Sequence, residues 1–564
     1  MSERASGNLS GLKPSELRAL ERLFRRRAPR GSIAGHELIH ELAERTRALG
    51  RRVGVLINRS GLVTHVQVGD AKQLPLPDLA SKRRGAGRLR GLRWIATALR
   101  GDGPHRDDLN ALVRARLDLL LWVRASGDEP LVAREVTLVP AEALEGSVVV
   151  GPPLAPQQLA DDFAERVAEL EAAFGDAVGA GQRTEGERSA LLAVVGERDL
   201  EEARAELRSL ATAAGFAVRG EVLQRRERPN PRTLLGRGKV ADLCALALST
   251  GAEVVIVNTE LAPRQQAALE DALALGVLDR TKLILDVFAQ RARTHAGKLQ
   301  VEVAQLRYSL PRLVGRGGDF SRVGGGKGAG FGRTKGAGET KLEVDRRRVR
   351  RRIHSLEQEL AKVRRQGDLR RRRRAKNALP LVALVGYTNV GKSTLFNRLT
   401  DAGVRAADML FASLDPTVRA RRLPSGRRAL FADSVGFVRD LPANLLEAFR
   451  ATLDEIGSAD LLLHVADASD PHVFERVEAV RTLLGGLGHV GVPELLVCNK
   501  QDLLSDPGAF LPLARTLAPE PVLMSATEGG LDALLARIDA ELERCAPEVD
   551  MTVSEDLVSE DGLQ

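Results

Sequence analysis

Cysteine is scarce: Cys244, Cys498 and Cys545 are the only three in 564 residues, and no two stand at a Cys-x-x-Cys spacing. A disulfide framework and a cysteine-based zinc site are therefore excluded. A run of about 18 apolar residues, the length a helix needs to cross a bilayer, is also missing, so no membrane insertion is expected. The opening stretch, MSERASGNLSGLKPSELRAL, is polar and has neither the apolar core nor the small-residue cleavage site of an export signal; a cytoplasmic location is expected. His36, His40, His65 and His105 are not arranged as ligand pairs beside carboxylates, which leaves them structural or surface roles. Hydrophobic residues at 43% and charged residues at 28% are ordinary for a globular protein. The length exceeds what one core can organise and predicts several domains.

The net charge of +9 is unevenly spread. Between positions 312 and 377 there are 22 Lys or Arg against 7 Asp or Glu, a local net of +15, so the remainder sums to −6. Basic character confined to one segment argues for a polyanion contact there.

Along residues 1–180, helical patterns precede two β-rich runs flanking Asn58-Arg59-Ser60-Gly61, which predicts a hairpin, and a Pro-rich stretch closes the segment near 151–158. This extension of α+β character shows no catalytic constellation. From about 188, ALLAVVG, FAVRGEVLQ and EVVIVN alternate with helical patterns, and that alternation predicts a parallel sheet in an α/β domain spanning 185–292. The glycine turn at 236–239 precedes a helix; an ordinary loop is the better reading, and phosphate binding the weaker one.

Residues 293–377 predict two helices with narrow apolar seams. One carries Leu299, Val303, Leu306, Leu310 and Leu313; the other carries Val349, Ile353, Leu356, Leu360 and Val363. The stretch between them, 315–338, is dominated by glycine and carries Arg316, Arg322, Lys327, Arg333 and Lys335 against Asp319 alone. An antiparallel helical hairpin with a basic, flexible tip follows, and RNA is the natural target. A second basic run lies at 370–376.

From 378 to 545 the chemistry becomes specific. LVALVGYTNVGKSTLFNRL is an apolar strand, a glycine loop and a helix start, the setting that the GxxxxGKS pattern requires. Gly386, Tyr387, Thr388, Asn389, Val390 and Gly391 would curl around phosphates. Lys392 would reach the β- and γ-phosphates, and the Ser393 hydroxyl would meet Mg²⁺. Downstream, LLVCNKQD delivers Asn499, Lys500, Gln501 and Asp502 at a strand end. The Asp502 carboxylate can accept N1–H and the exocyclic amine of guanine, donors that adenine lacks, so GTP is selected. Ser525, Ala526 and Thr527 sit where backbone N–H groups can meet the guanine oxygen. Between these lie two switch stretches. One runs through Phe411, Ala412, Ser413, Leu414 and Asp415 to Thr417, whose hydroxyl can cap Mg²⁺. The other contains Asp433, suited to hold Mg²⁺ through water, then Ser434, Val435 and Gly436, whose N–H can sense the γ-phosphate. Lys392, Thr417 and Gly436 are thus the expected catalytic residues. After Gly436 stands Phe437, where many GTPases place a water-orienting Gln, so hydrolysis is expected to be slow until another element or a partner positions water.

FAQRARTHAGKLQVEVAQLRYSLPRLVG, GAGETKLEVDRR, GYTNVGKSTLFN, FASLDPT, DSVGF and NKQD together resemble the HflX family of ribosome-associated GTPases, over roughly 185–545. The resemblance implies an N-terminal α/β domain, a helical hairpin and a Ras-like P-loop GTPase domain. It also implies binding of GTP and GDP, and of the large ribosomal subunit and its rRNA with the glycine-rich tip toward the peptidyl-transferase centre. GTP would then drive splitting or rescue of stalled ribosomes; action on rRNA during ribosome assembly, without splitting, is the alternative. A monomer is expected when the protein is free. The tip is longer than the family's usual stretch, Ala337 stands where Pro is common, and the chain ends in an acidic tail over 546–564.

Overall fold

The computed structural model describes residues 4–29, 31–77, 79, 88–127, 129–141, 144–180, 188–197, 199–292, 294–313, 338–376, 379–400, 417–434, 436–437, 459–486 and 491–545. Two compact units divide the chain, Met1–Leu283 and Ile284–Gln564.

The first unit holds two sheets. Strands β1 (Ser6–Gly7), β2 (Val53–Asn58), β3 (Val63–Val68), β4 (Leu92–Ala98), β5 (Leu119–Arg124), β6 (Val132–Leu138) and β7 (Val148–Val150) form a mixed sheet in the order β1-β3-β2-β4-β5-β6-β7. β2 and β3 pair antiparallel around the hairpin at 58–61. Strands β8 (Arg188–Gly196), β9 (Phe216–Arg225), β10 (Val254–Val257) and β11 (Gly276–Leu278) form an all-parallel sheet in the order β11-β10-β8-β9. Their helical crossovers supply the alternation visible in the sequence. Among these, the helix Arg237–Thr250 buries Val240, Ala241, Leu243, Ala245, Leu246 and Leu248, residues on every side of its axis. It packs on β9 and also on the helices Arg106–Ala115 and Phe163–Ala180, so one apolar core runs from the first sheet into the second. A helix apolar all round is one covered all round. At its start the Gly236 N–H donates to Gln224 Oε1 at 2.9 Å and Lys239 pairs with Asp242 at 3.2 Å, so the groups a phosphate would need are engaged within the protein.

The second unit contains the two seam helices, His295–Ser309 and Gly338–Lys376. Leu299, Val303, Ile353, Leu356 and Leu360 form their buried contact, with Leu306, Leu310, Val349 and Val363 packed against it. Of the residues expected in the seams, all but Leu313 join this cluster. Two ion pairs flank it, Arg307–Glu357 at 2.7 Å and Arg352–Glu302 at 2.8 Å. As partly exposed pairs these add little, and the apolar seam is the main stabilising contact. The expected tip residues Arg316, Arg322, Lys327, Arg333 and Lys335 lie outside the described residues, as does the tail 546–564.

The rest of this unit is a six-stranded sheet of β12 (Leu381–Val385), β13 (Val418–Arg422), β14 (Arg428–Ala432), β15 (Leu461–Asp467), β16 (Glu494–Asn499) and β17 (Val522–Leu523). The order is β13-β14-β12-β15-β16-β17, parallel except for β13 against β14. This is the Ras-like α/β arrangement. Its motif-bearing loops leave the carboxyl ends of β12, β14, β16 and β17, where a doubly wound sheet opens its binding crevice. No described helix is long and apolar enough to cross a membrane.

Candidate nucleotide site

The loop after β12 is shaped by the backbone before any side chain matters. Gly391 has φ +90°, and a Cβ there would stand 2.3 Å from Asn499 Nδ2. Only glycine allows the turn and the approach together. Lys392 begins the helix Lys392–Leu399 and is buried, with Nζ donating to the Tyr387 carbonyl at 2.6 Å. Burial pulls its pKa down to about 8, opposed by the nearby Asp433 carboxylate. An ammonium held this way is poorly solvated and positioned to exchange one carbonyl for phosphate oxygens.

Asp433 follows β14. Ser393 Oγ donates to its Oδ2 at 3.1 Å, and its own N–H donates to the Thr417 carbonyl at 3.0 Å. The exposed Thr417 is therefore fixed beside Asp433 through the backbone. Ser434 Oγ donates to the Leu384 carbonyl at 2.5 Å. The loops after β12 and β14 are also stitched together directly: Thr388 N–H donates to the Phe437 carbonyl at 2.7 Å, and Phe437 N–H to the Gly386 carbonyl at 3.1 Å. Gly436 is caught in this bridge, where a Cβ would meet Lys392 Nζ at 3.0 Å and Thr388 Cγ2 at 2.9 Å. The Phe437 ring is buried and has no group that could orient water. Phe411, Ala412, Ser413, Leu414, Asp415 and Val435 lie outside the described residues.

The loops that follow β12 and β17 are tied together by one side chain at the end of β16. Asn499, buried at the end of β16, donates from Nδ2 to the Val390 carbonyl at 2.8 Å and accepts the Ala526 N–H on Oδ1 at 2.8 Å. Asn499→Ala would strand both backbone groups in a buried setting, each at about 1–3 kcal/mol. Denaturant unfolding should show a loss of about 2–6 kcal/mol together with weaker nucleotide binding; unchanged stability would show that water replaces the amide without cost. Asp502 is exposed on the short 3₁₀ turn Gln501–Leu503, held by the Gln501 N–H to the Met524 carbonyl at 3.1 Å. Ser525 Oγ and Thr527 Oγ1 lie 2.9 Å apart, closing the turn that contains Ala526.

Three contacts of the site are absent from the motif reading. Lys500, at φ +64°, pairs with Asp467 Oδ2 at 2.7 Å, so the lysine is anchored by the end of β15. Arg398, on the phosphate-loop helix, donates to the Ala526 carbonyl at 2.9 Å. The Arg476 guanidinium lies 4.9 Å from the centroid of the Tyr387 ring and pairs with Asp470. An Asp closing the apolar run of β15 was the one available signal; the arginine contacts come from distant segments and left none.

Comparison with known proteins follows the same division of the chain. The family described as GTP-binding GTPase N-terminal matches residues 201–289, GTP-binding GTPase Middle Region matches 291–374, and 50S ribosome-binding GTPase matches 381–500. GTPase HflX of Caldanaerobacter subterraneus subsp. tengcongensis is 47% identical over 357 residues, which cover 63% of this chain and 81% of that protein. GTPase HflX of Escherichia coli (strain K12) is 44% identical over 351 residues, covering 61% of this chain and 81% of that protein. Among solved structures, a GTP-binding protein of Sulfolobus solfataricus in complex with GDP is 24% identical, with a TM-score of 0.37, and covers 63% of this chain and 99% of that one.

Proposed function

Since the chain belongs to the HflX family of GTPases and is itself a GTP-binding GTPase, we propose that it acts on the large ribosomal subunit. There it uses GTP binding and hydrolysis to split or rescue stalled ribosomes. The observation that carries this reading is the closed nucleotide site. Asn499 locks the guanine-reading loops to the phosphate loop, while Phe437, at the position after Gly436, is a buried apolar ring that cannot orient water. A GTPase so built waits for a partner. The match of residues 381–500 to a family described as 50S ribosome-binding GTPase and the basic segment at 312–377 support a ribosomal partner.

In this reading Asp502 reads guanine, Lys392 clamps the β- and γ-phosphates, and the Gly436 N–H meets the γ-phosphate. The hydroxyls of Ser393 and Thr417 and the Asp433 carboxylate are hard oxygen donors, and Ser393 and Asp433 already converge at 3.1 Å, so the set fits Mg²⁺, with Asp433 acting through water. Bound there, Mg²⁺ would offset the negative charge of the phosphates. Arg316, Arg322, Lys327, Arg333 and Lys335 supply the contact to rRNA.

The deciding experiment is GTP turnover with and without purified large subunits, beside sedimentation of intact ribosomes. Turnover should rise with added subunits and saturate, and intact ribosomes should convert to subunits. Stimulation without conversion would leave an assembly role and remove splitting. Replacing the five tip residues with Ser should lower the salt slope of subunit binding by up to about 3.5, at ~0.7 per single-strand phosphate. Nucleotide affinity should not change; a wild-type slope would move the RNA contact elsewhere.

A further inference from the structure

We propose that the hairpin formed by β13 and β14 is a second RNA-binding element, gripping a phosphate backbone through Arg422, Arg427 and Arg428. The inference rests on the ribosome reading for the identity of the RNA, but its physical argument is independent. Among the described residues β13 is the edge strand of the six-stranded sheet, and residues 417–430 contain five arginines and no acidic residue. One of the five, Arg421, is committed inside the protein, with NH1 donating to the Leu399 carbonyl at 2.7 Å and the Arg398 carbonyl at 3.1 Å. The side chains of Arg419, Arg422, Arg427 and Arg428 make no hydrogen bond or ion pair among the described residues. Arg422 stands directly opposite Arg428 in the ladder.

Like charges on opposed strand positions repel, and this arrangement costs stability. Protecting a free edge from strand addition does not explain it, because a carboxylate at either position would protect equally well and would turn repulsion into attraction. A polyanion laid across the pair explains it.

The platform is also rigid. Leu423 N–H donates to the Arg427 carbonyl at 2.8 Å and Gly426 N–H to the Leu423 carbonyl at 2.9 Å. Asp539, from the helix Leu531–Cys545, clamps the turn by accepting Ser425 N–H at 2.7 Å and Ser425 Oγ–H at 2.8 Å. Among the described residues, the one carboxylate that touches the turn therefore faces the turn's own serine. Leu423 and Phe431 are buried, so the hairpin offers no large apolar anchor of the kind protein interfaces use. Guanidinium forks on a fixed ribbon suit phosphate oxygens.

The test uses the full chain with Arg422, Arg427 and Arg428 all changed to Gln, and a second variant with all three changed to Lys. Binding is measured over a salt series to a labelled 20-base-pair RNA duplex and, separately, to purified large subunits. The Gln variant should lose about 10- to 100-fold in affinity at low salt on both, with the slope reduced by about 2, while the Lys variant keeps most of the binding. The Gln variant's thermal midpoint should not fall, because its opposed charges are gone. Wild-type affinity and slope for the duplex in the Gln variant would overturn the proposal. So would a loss confined to the subunits, which would identify an acidic protein surface as the partner. If wild type fails to bind subunits while the duplex shows the loss, the hairpin assignment stands and the ribosome reading falls; the reverse pattern leaves the ribosome reading intact.

Discussion

Asp502→Asn is expected to turn the protein from guanosine to xanthosine nucleotides. The carboxylate has two acceptor oxygens for two donors of guanine, N1–H and the exocyclic amine. The amide keeps one acceptor for N1–H and presents an NH₂ toward the amine, so one favourable contact becomes two opposed donors. Xanthine carries a carbonyl at that position and restores the match. Two charge-assisted hydrogen bonds are at stake, so GTP affinity should fall by about two to four orders of magnitude, while XTP becomes the preferred substrate. The structure makes this a clean substitution. Asp502 is exposed on its short turn, and the tie between loops belongs to Asn499, so the fold does not depend on the carboxylate. Competition between GTP and XTP for binding and turnover decides it: a variant that still prefers GTP by the wild-type margin removes Asp502 from base recognition.

The residues whose placement was legible in the sequence are those set within one strand and the loop it feeds. Gly391, Lys392 and Ser393 follow β12 directly, and Asn499 to Asp502 follow β16, so strand, loop and side chain are read together. The seam helices were legible for the same local reason: Leu299, Val303, Ile353, Leu356 and Leu360 recur at helical spacing and form one buried contact. What could not be read depends on segments far apart in the chain. The Lys500–Asp467 pair joins the ends of β16 and β15, and Arg398 meets Ala526 from 128 positions away. The helix Arg237–Thr250 reads as an ordinary crossover helix, yet it is covered on all sides because an upstream sheet and its helices pack on it. Periodicity reports how many faces are apolar, not what covers them.

Lys392 should couple nucleotide binding to pH. Burial holds its pKa near 8 in the nucleotide-free protein, well below the 10.5 of a free lysine. Phosphate oxygens placed on the ammonium favour the charged form and must raise that value again. The sign follows from linkage. Below pH 8 the lysine is already protonated and GTP binds without taking up a proton. Above pH 8 the free protein loses the proton that the complex requires, so affinity should weaken by up to about tenfold per pH unit until the pKa of the complex is reached. Lys392→Met fills the same space without a charge. It should bind GTP weakly with no inflection near pH 8, and turnover should drop by about 10²- to 10³-fold or more because the transferring phosphoryl group loses its fixed cation. Stability moves the other way. A folded pKa below the unfolded one means that the charged lysine costs stability below pH 8, and that this cost disappears as pH rises from about 8 toward 10.5. The nucleotide-free Lys392→Met protein should therefore unfold at a temperature at or above wild type at pH 6.5, with a smaller difference at pH 9.5. Calorimetric titration of GTP between pH 6.5 and 9.5, beside thermal unfolding at both ends of that range, tests the two signs together. A wild-type affinity that stays flat across pH 8, or a methionine variant that hydrolyses GTP at the normal rate, would place the phosphate clamp on another residue.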